Sequence, residues 1–354
     1  MTENVEHPYI ALAEVRRGDL VESLHFGTAV VCDAQGAVIA SLGSPDHTTY
    51  PRSSLKAFQA LPLVESGAAD ALDLEPRHLA LACASHRAEP FQVELVKGWM
   101  QRIGLDDSSY ACGPAWPSSA DDRDARVAAG ERASSYFHNC SGKHAGMLSV
   151  CVYERLPVAS YAKPEHPLQR RILGGLSSLV GREIGLSELG TDGCNLPAIP
   201  LTMREMATAV ARFASAKGVN DRQSAAMRRL LDAMRRHPDH ISGRGQATQM
   251  LCETTDGRVL MKTGAEGYLV AWLPEDGLGI AIKTCDGADR VRVPVLLELL
   301  SQLDLIGKRE AEALEALRRP TLSNSAGRAI GSICSCFRCG ERGGGKGRFQ
   351  AGAA

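Results

Sequence analysis

The stretch GRVLMKTGAEGYLVAWLPEDGLGIAIKT, residues 257–284, is cut into three apolar segments by two turn signals, Gly264-Ala265-Glu266-Gly267 and Pro274-Glu275-Asp276-Gly277. The segments, roughly 258–262, 268–273 and 279–284, are too short for helices and predict three strands joined by tight turns. The same grammar recurs near the other end of the chain. Leu24 to Val31 is apolar, Asp33-Ala34-Gln35-Gly36 is a turn, and Ala37 to Leu42 resumes the apolar run, which predicts a β-hairpin. Between these ends helical spacing dominates. Glu89 to Ile103 has Pro90 in its first turn, apolar Val93, Val96, Trp99 and Met100 on one face, and Gly104 just beyond, which are start and stop signals of one helix. Similar patterns predict helices near 144–154, 167–180, 200–216, 222–236 and 290–304, and a further buried strand over His78 to Ala84. Strands at both ends with helices between them predict an α+β fold, an antiparallel sheet formed by N- and C-terminal strands with helices packed around it, because a parallel sheet would show regular βαβ alternation.

The 354 residues carry 40 Lys and Arg against 41 Asp and Glu, a formal net charge of −1, with no charge block, so neither nucleic acid nor an anionic membrane is expected as a partner. No apolar run reaches the ~18 residues of a membrane span, and MTENVEHPYI lacks a basic segment leading into an apolar one, so a cytoplasmic location is expected. In that reducing setting the eleven cysteines argue for metal binding, a catalytic thiol or buried small hydrophobes rather than a disulfide framework. Cys32, Cys83, Cys151, Cys252 and Cys285 sit in apolar segments and are expected as core filler. From Ser332 onward the chain turns Gly- and Cys-rich, and residues 332–354 are expected to be a disordered tail on a 1–331 domain.

Arg52-Ser53-Ser54-Leu55-Lys56 follows Pro51 and feeds an apolar run, so Ser53 and Lys56, three apart, are expected on one face of a helical turn, the S-x-x-K arrangement. A serine hydroxyl attacks only once a neighbouring base takes its proton, and lysine is that base when it is neutral. The spacing alone is weak, since Ser160-Tyr161-Ala162-Lys163 also fits it and is followed at once by Pro164. Lys262-Thr263-Gly264 at the end of an expected strand is the K-T-G partner of S-x-x-K, and Ser85-His86-Arg87 stands nearest to where S-D-N would be. Together these point to a serine amidohydrolase of open substrate. Asn139-Cys140-Ser141-Gly142-Lys143-His144 and Thr191-Asp192-Gly193-Cys194-Asn195 each place a cysteine among glycine and polar residues, a setting of ligands or site residues as much as of core.

His25, the Arg52–Lys56 segment, Ala82-Cys83-Ala84-Ser85-His86, the two cysteine segments, Met261-Lys262 and Lys283 with Asp286-Gly287 occur in an order that resembles the rhizobial-type, or class 3, L-asparaginases over about residues 9–330. The resemblance implies a fold similar to serine β-lactamases and glutaminases, a homodimer, and hydrolysis of L-asparagine to L-aspartate and ammonia. It implies two Ser–Lys tandems, Ser53 with Lys56 and Ser85 with Lys262, beside a zinc held by Cys140, Lys143 and Cys194, with His25, Arg52, His86 and Asp192 on the substrate side. Gln92 and Ala115 stand where the family commonly has His, and Gln246 where it has Arg. Two rival readings stay open: the same machinery acting on another small amide or a lactam, and a non-catalytic zinc-binding protein.

Overall fold

The computed structural model describes residues 8–338, which form two compact units. The first unit is built on an eight-stranded antiparallel sheet: β1 (Ile10–Arg17), β2 (Leu20–Asp33), β3 (Val38–Leu42), β4 (Leu260–Thr263), β5 (Tyr268–Leu273), β6 (Leu278–Thr284), β7 (Thr321–Ser323) and β8 (Ala329–Ser335). The order is β7-β8-β1-β2-β6-β5-β4, with β3 also pairing to β2, so N- and C-terminal strands do interleave in one α+β layout. All three strands of the 257–284 stretch are present within two residues of the expected bounds. In β5 every side chain is buried, and in β6 all but the first are, so neither strand shows the alternation of a half-wet sheet. The helix Met203–Ser215 packs against β2, β5 and β6. Gly279 in β6 permits that approach, since a Cβ there would collide with the backbone at Ala207 and Ala211.

The structure corrects the expected tail. β8 pairs with β1 in the register Val15 to Ile333, Cys336 N donates to Leu12 O at 3.0 Å, and Phe337 is 3% exposed with its carbonyl accepting from Gln302. Residues 332–338 therefore belong to the sheet unit, and residues 339–354, including Cys339, lie outside the described residues.

The second unit, residues 52–200 and 216–252, is helical and centres on Ser141–Glu154, which buries every residue from Ser141 to Cys151. Pro76–Ala82 lies so close to it that a Cβ on Gly142 would meet the Leu81 carbonyl. That neighbour corrects a second expectation, because His78 to Ala84 is mostly helix and not strand. Pro76 at the first helical position and the reciprocal Glu75–His78 capping start the helix. Burial on all sides erases the polar face that would have shown a helical period. Among the described residues no helix is long and apolar enough to cross a membrane.

Candidate active site

Lys56 opens the short helix Lys56–Gln59, while Ser53 lies on the 3-10 turn Arg52–Leu55 just before it. The Lys56 side chain is fully buried, and Nζ sits 2.6 Å from Ala84 O, 3.2 Å from Asn139 O and 2.9 Å from Ser85 Oγ. Two of these partners are carbonyls and can only accept. Once they take two N–H bonds, the third position of a neutral amine is a lone pair facing the Ser85 hydroxyl. Burial pushes the Lys56 ammonium down, and the Lys143 charge adds to this against the opposing pull of Cys140. The hydroxyl bonded to Lys56 is thus Ser85 rather than the expected Ser53. Among the described residues the Ser53 hydroxyl makes no hydrogen bond and is partly exposed.

Ser85 follows the end of Pro76–Ala82, and its backbone N–H donates to Ile241 O at 3.0 Å. His86 is almost completely buried, and both of its ring nitrogens are engaged. Ala88 N donates to Nδ1, so Nε2 carries the hydrogen and donates to Ser141 Oγ at 2.7 Å, and Ser141 in turn donates to Tyr136 O. Burial, then the Lys56 charge, holds His86 neutral with its pKa lowered to about 3. His86 therefore positions the segment behind Ser85 and offers no free nitrogen to a substrate, which corrects its expected place on the substrate side. Gln92 has a similar supporting task. Its Oε1 accepts from Arg87 N and Glu89 N while Nε2 donates to Asp239 O, so it caps the helix Pro90–Arg102 and ties it to the chain near residue 239.

Cys140, Lys143 and Cys194 come together as expected, all buried. Lys143 Nζ donates to Cys194 Sγ at 3.2 Å, and Cys140 Sγ lies 3.2 Å from Asn139 Oδ1. The neighbouring Cys194, helped by the charges of Lys56 and Lys143, favours the Cys140 thiolate, and the same pairing raises the Cys194 thiol. Cys140 also occupies the position just before the helix Ser141–Glu154, without a side-chain capping bond, where the helix dipole favours negative charge. Burial opposes the Lys143 charge, but Cys194, Cys140 and Asp192 outweigh it and raise its pKa. Two sulfurs and one amine meeting in a buried place form a donor set that suits zinc once the Lys143 ammonium and the Cys194 thiol give up their protons. Asp192 accepts from Arg52 Nη2 at 3.1 Å, so these two expected substrate residues meet each other.

His25 and Lys262 belong to the sheet unit. Lys262 is buried, and its Nζ donates to Thr263 O at 2.6 Å. Arg290 Nε donates to His25 Nε2 at 3.0 Å, which leaves the hydrogen on Nδ1 for Asp286 Oδ2 at 2.6 Å. Neither the Arg290 role nor that of Ser141 was read from the sequence, although Asp286-Gly287 and Ser141 lie inside the quoted motifs. Of the five cysteines expected as core filler, Cys32, Cys83, Cys151 and Cys252 are buried, but Cys285 is exposed just beyond the last residue of β6.

Among curated proteins none matches the chain. Of solved structures, one described as Mglu in its native form aligns with a TM-score of 0.46 and 16% identity, covering 79% of this chain and 61% of that one. A β-lactamase from Mycobacterium bovis aligns with a TM-score of 0.41 and 11% identity, covering 78% of this chain and 94% of that one. The chain spans about three-fifths of the length of the Mglu structure. The model of the L-asparaginase II family matches residues 13–335, which takes in every site residue named above and ends on the last residue of β8. The chain belongs to the L-asparaginase II family.

Proposed function

We propose that this protein is an amidohydrolase that converts L-asparagine and water to L-aspartate and ammonia. The observation that carries the reading is the fully buried Lys56, depressed by burial and held by two carbonyls and the Ser85 hydroxyl inside a chain of this family. In the proposed reaction Ser53 Oγ attacks the side-chain amide carbon and neutral Lys56 takes its proton. The Lys56 ammonium returns that proton, with the Ser85 hydroxyl beside it as conduit, to the departing nitrogen, which leaves as ammonia. Lys56 then deprotonates a water that hydrolyses the ester, releasing aspartate and restoring Ser53. A nucleophile must be free to meet its substrate, and the unbonded, partly exposed Ser53 hydroxyl supports that role. The 2.9 Å bond between Lys56 and Ser85 supports a second reading in which Ser85 attacks.

Arg52 supplies a guanidinium for the substrate carboxylate and Asp192 a carboxylate for its amino group, their mutual ion pair holding both in place. Cys140, Lys143 and Cys194 would hold a zinc ion. Bound there, zinc would balance the charges of both thiolates, with Lys143 ligating as the neutral amine. Lys262 and His25 enter the proposal as residues of the sheet unit whose replacement lowers turnover. A cytoplasmic homodimer completes the reading; the exposed apolar residues Leu20, Leu24 and Phe26 on β2 support self-association.

The test is ammonia release from asparagine and glutamine beside hydrolysis of a chromogenic β-lactam. Turnover of asparagine is expected. β-Lactam turnover without ammonia from asparagine would move the substrate to a lactam, and bound zinc with no turnover at all would favour the non-catalytic reading.

A further inference from the structure

We infer that His237, Asp239 and His240 form a site for one divalent transition-metal ion, separate from the Cys140, Lys143 and Cys194 set and independent of the activity proposed above. The helix Asp221–Arg236 ends at His237, and Pro238 starts the short helix Pro238–Ser242 at once. This tight junction turns the chain so that the rings of His237 and His240 meet edge to face, with centroids 5.4 Å apart. One donor atom from each of His237, Asp239 and His240 falls within 4.8 Å of the others. His240 Nδ1 and Asp239 Oδ1 are already 2.8 Å apart. Bonds of about 2.0–2.2 Å to one ion put neighbouring donors about 3–3.5 Å apart, so closure needs only small side-chain rotations.

The surroundings fit an ion that keeps open positions. The His240 side chain is 11% exposed and Asp239 25%, at the wall of a pocket of about 600 Å³ that Phe91 and Glu94 also line. Phe91 packs edge to face on His240, with centroids 4.8 Å apart, and fixes that ring. Three arginines line the same pocket and would repel a cation, but each is drawn to a partner of its own. Arg77 pairs with Glu75, Arg102 donates to the carbonyls of Leu72 and Asp73, and the Arg244 guanidinium lies 4.4 Å from the Phe91 ring centre. Two imidazoles and one carboxylate select zinc, cobalt or nickel over the oxygen-seeking calcium and magnesium.

The position gives the ion a structural consequence. Asp239 O accepts from Gln92 and Ile241 O accepts from the Ser85 N–H, so an ion gripping His237, Asp239 and His240 fastens the segment that supports the Ser85 backbone.

The experiment titrates Co²⁺ into metal-free full-length protein, reading the visible spectrum, the stoichiometry and Tm. In a Cys140→Ser, Cys194→Ser variant we expect one equivalent to remain, with d–d bands, no thiolate-to-cobalt absorption and a raised Tm. Adding His237→Ala and His240→Ala should remove both the equivalent and the Tm shift. Should the cysteine variant fold poorly, His237→Ala, His240→Ala in the otherwise intact chain should lose one equivalent and leave any thiolate-to-cobalt absorption unchanged. Unchanged stoichiometry and Tm after loss of both histidines would overturn the site. Failure of the zinc reading would show separately, as absence of the thiolate band from the unmodified protein.

Discussion

Lys56 and Lys143 are both almost completely buried in the helical unit, yet their surroundings drive them in opposite directions. Lys56 is hydrogen-bonded to two carbonyls and a hydroxyl, and although Cys140 pulls the other way, desolvation with the Lys143 charge wins and the amine is pushed toward neutrality. Lys143 faces two sulfurs and the Asp192 carboxylate, so its charge is matched where it stands. Burial alone therefore does not decide what a lysine can do. The same side chain at the same depth is pushed toward a neutral amine in one place and held as a cation in the other.

The sharpest break of this contrast is Lys56→Met, which keeps volume and removes the base. Asparagine turnover should fall by about 10³-fold or more, since a positioned base contributes roughly 10²–10⁴ and the attack fails without it. Activity that survives within about tenfold in a folded Lys56→Met variant would take the base role away from Lys56. Next in size is Cys140→Ser, which removes a charge that both lysines feel. Metal content should drop and kcat/KM for asparagine should fall by at least the roughly 10–100-fold typical of disturbing a metal site, mostly through KM. Metal analysis beside steady-state kinetics reads this directly.

A third test uses pH. The folded Lys56 pKa lies below its unfolded 10.5, so at intermediate pH the unfolded chain binds the extra proton and stability rises with pH. Denaturant unfolding just below pH 10.5 should show this rise, and Lys56→Met should flatten it by up to about 1.4 kcal/mol per pH unit. The raised Lys143 has the opposite sign: its stabilisation is full below 10.5 and is lost as pH climbs through its higher folded value. Catalysis should likewise increase through mildly alkaline pH as Lys56 loses its proton. The smallest effect is expected for Asp192→Asn, which keeps an oxygen to accept from Arg52 but removes the carboxylate charge that raises Lys143 and pairs with Arg52. It should raise KM by about tenfold, the worth of one charge-assisted hydrogen bond, with kcat little changed.

The hairpins at both ends were legible because turn residues and short apolar runs are local signals. β1 and β8 were not. β1 carries Glu14, Arg16 and Arg17, and in β8 only Ile333 is buried, so each is a strand chiefly through pairing with the other end of the chain. The His78–Ala84 segment misled because a helix enclosed on every side loses its period. The meeting of Cys140, Lys143 and Cys194 was expected only from the family resemblance; the two cysteines, set among glycine and polar residues, by themselves left ligand, site residue and core open. What could not be read was the partner of Lys56. S-x-x-K points along one turn to Ser53, whereas the bonded hydroxyl comes from Ser85, brought in by the packing of Pro76–Ala82 against Ser141–Glu154. His86 was expected on the substrate side from the resemblance alone, whereas Ala88 and Ser141 engage both of its ring nitrogens.

The central claim is that a serine served by buried, neutral Lys56 carries the acyl group. Quenching a reaction with a slow substrate such as aspartate β-hydroxamate, digesting the protein and mapping the adduct by mass spectrometry tests it most directly. The account predicts the aspartyl mass on Ser53, absent in Lys56→Met. An adduct on Ser85 with Ser53 unmodified would contradict the assignment of the nucleophile, and no adduct on either serine under conditions of active turnover would contradict serine acylation altogether.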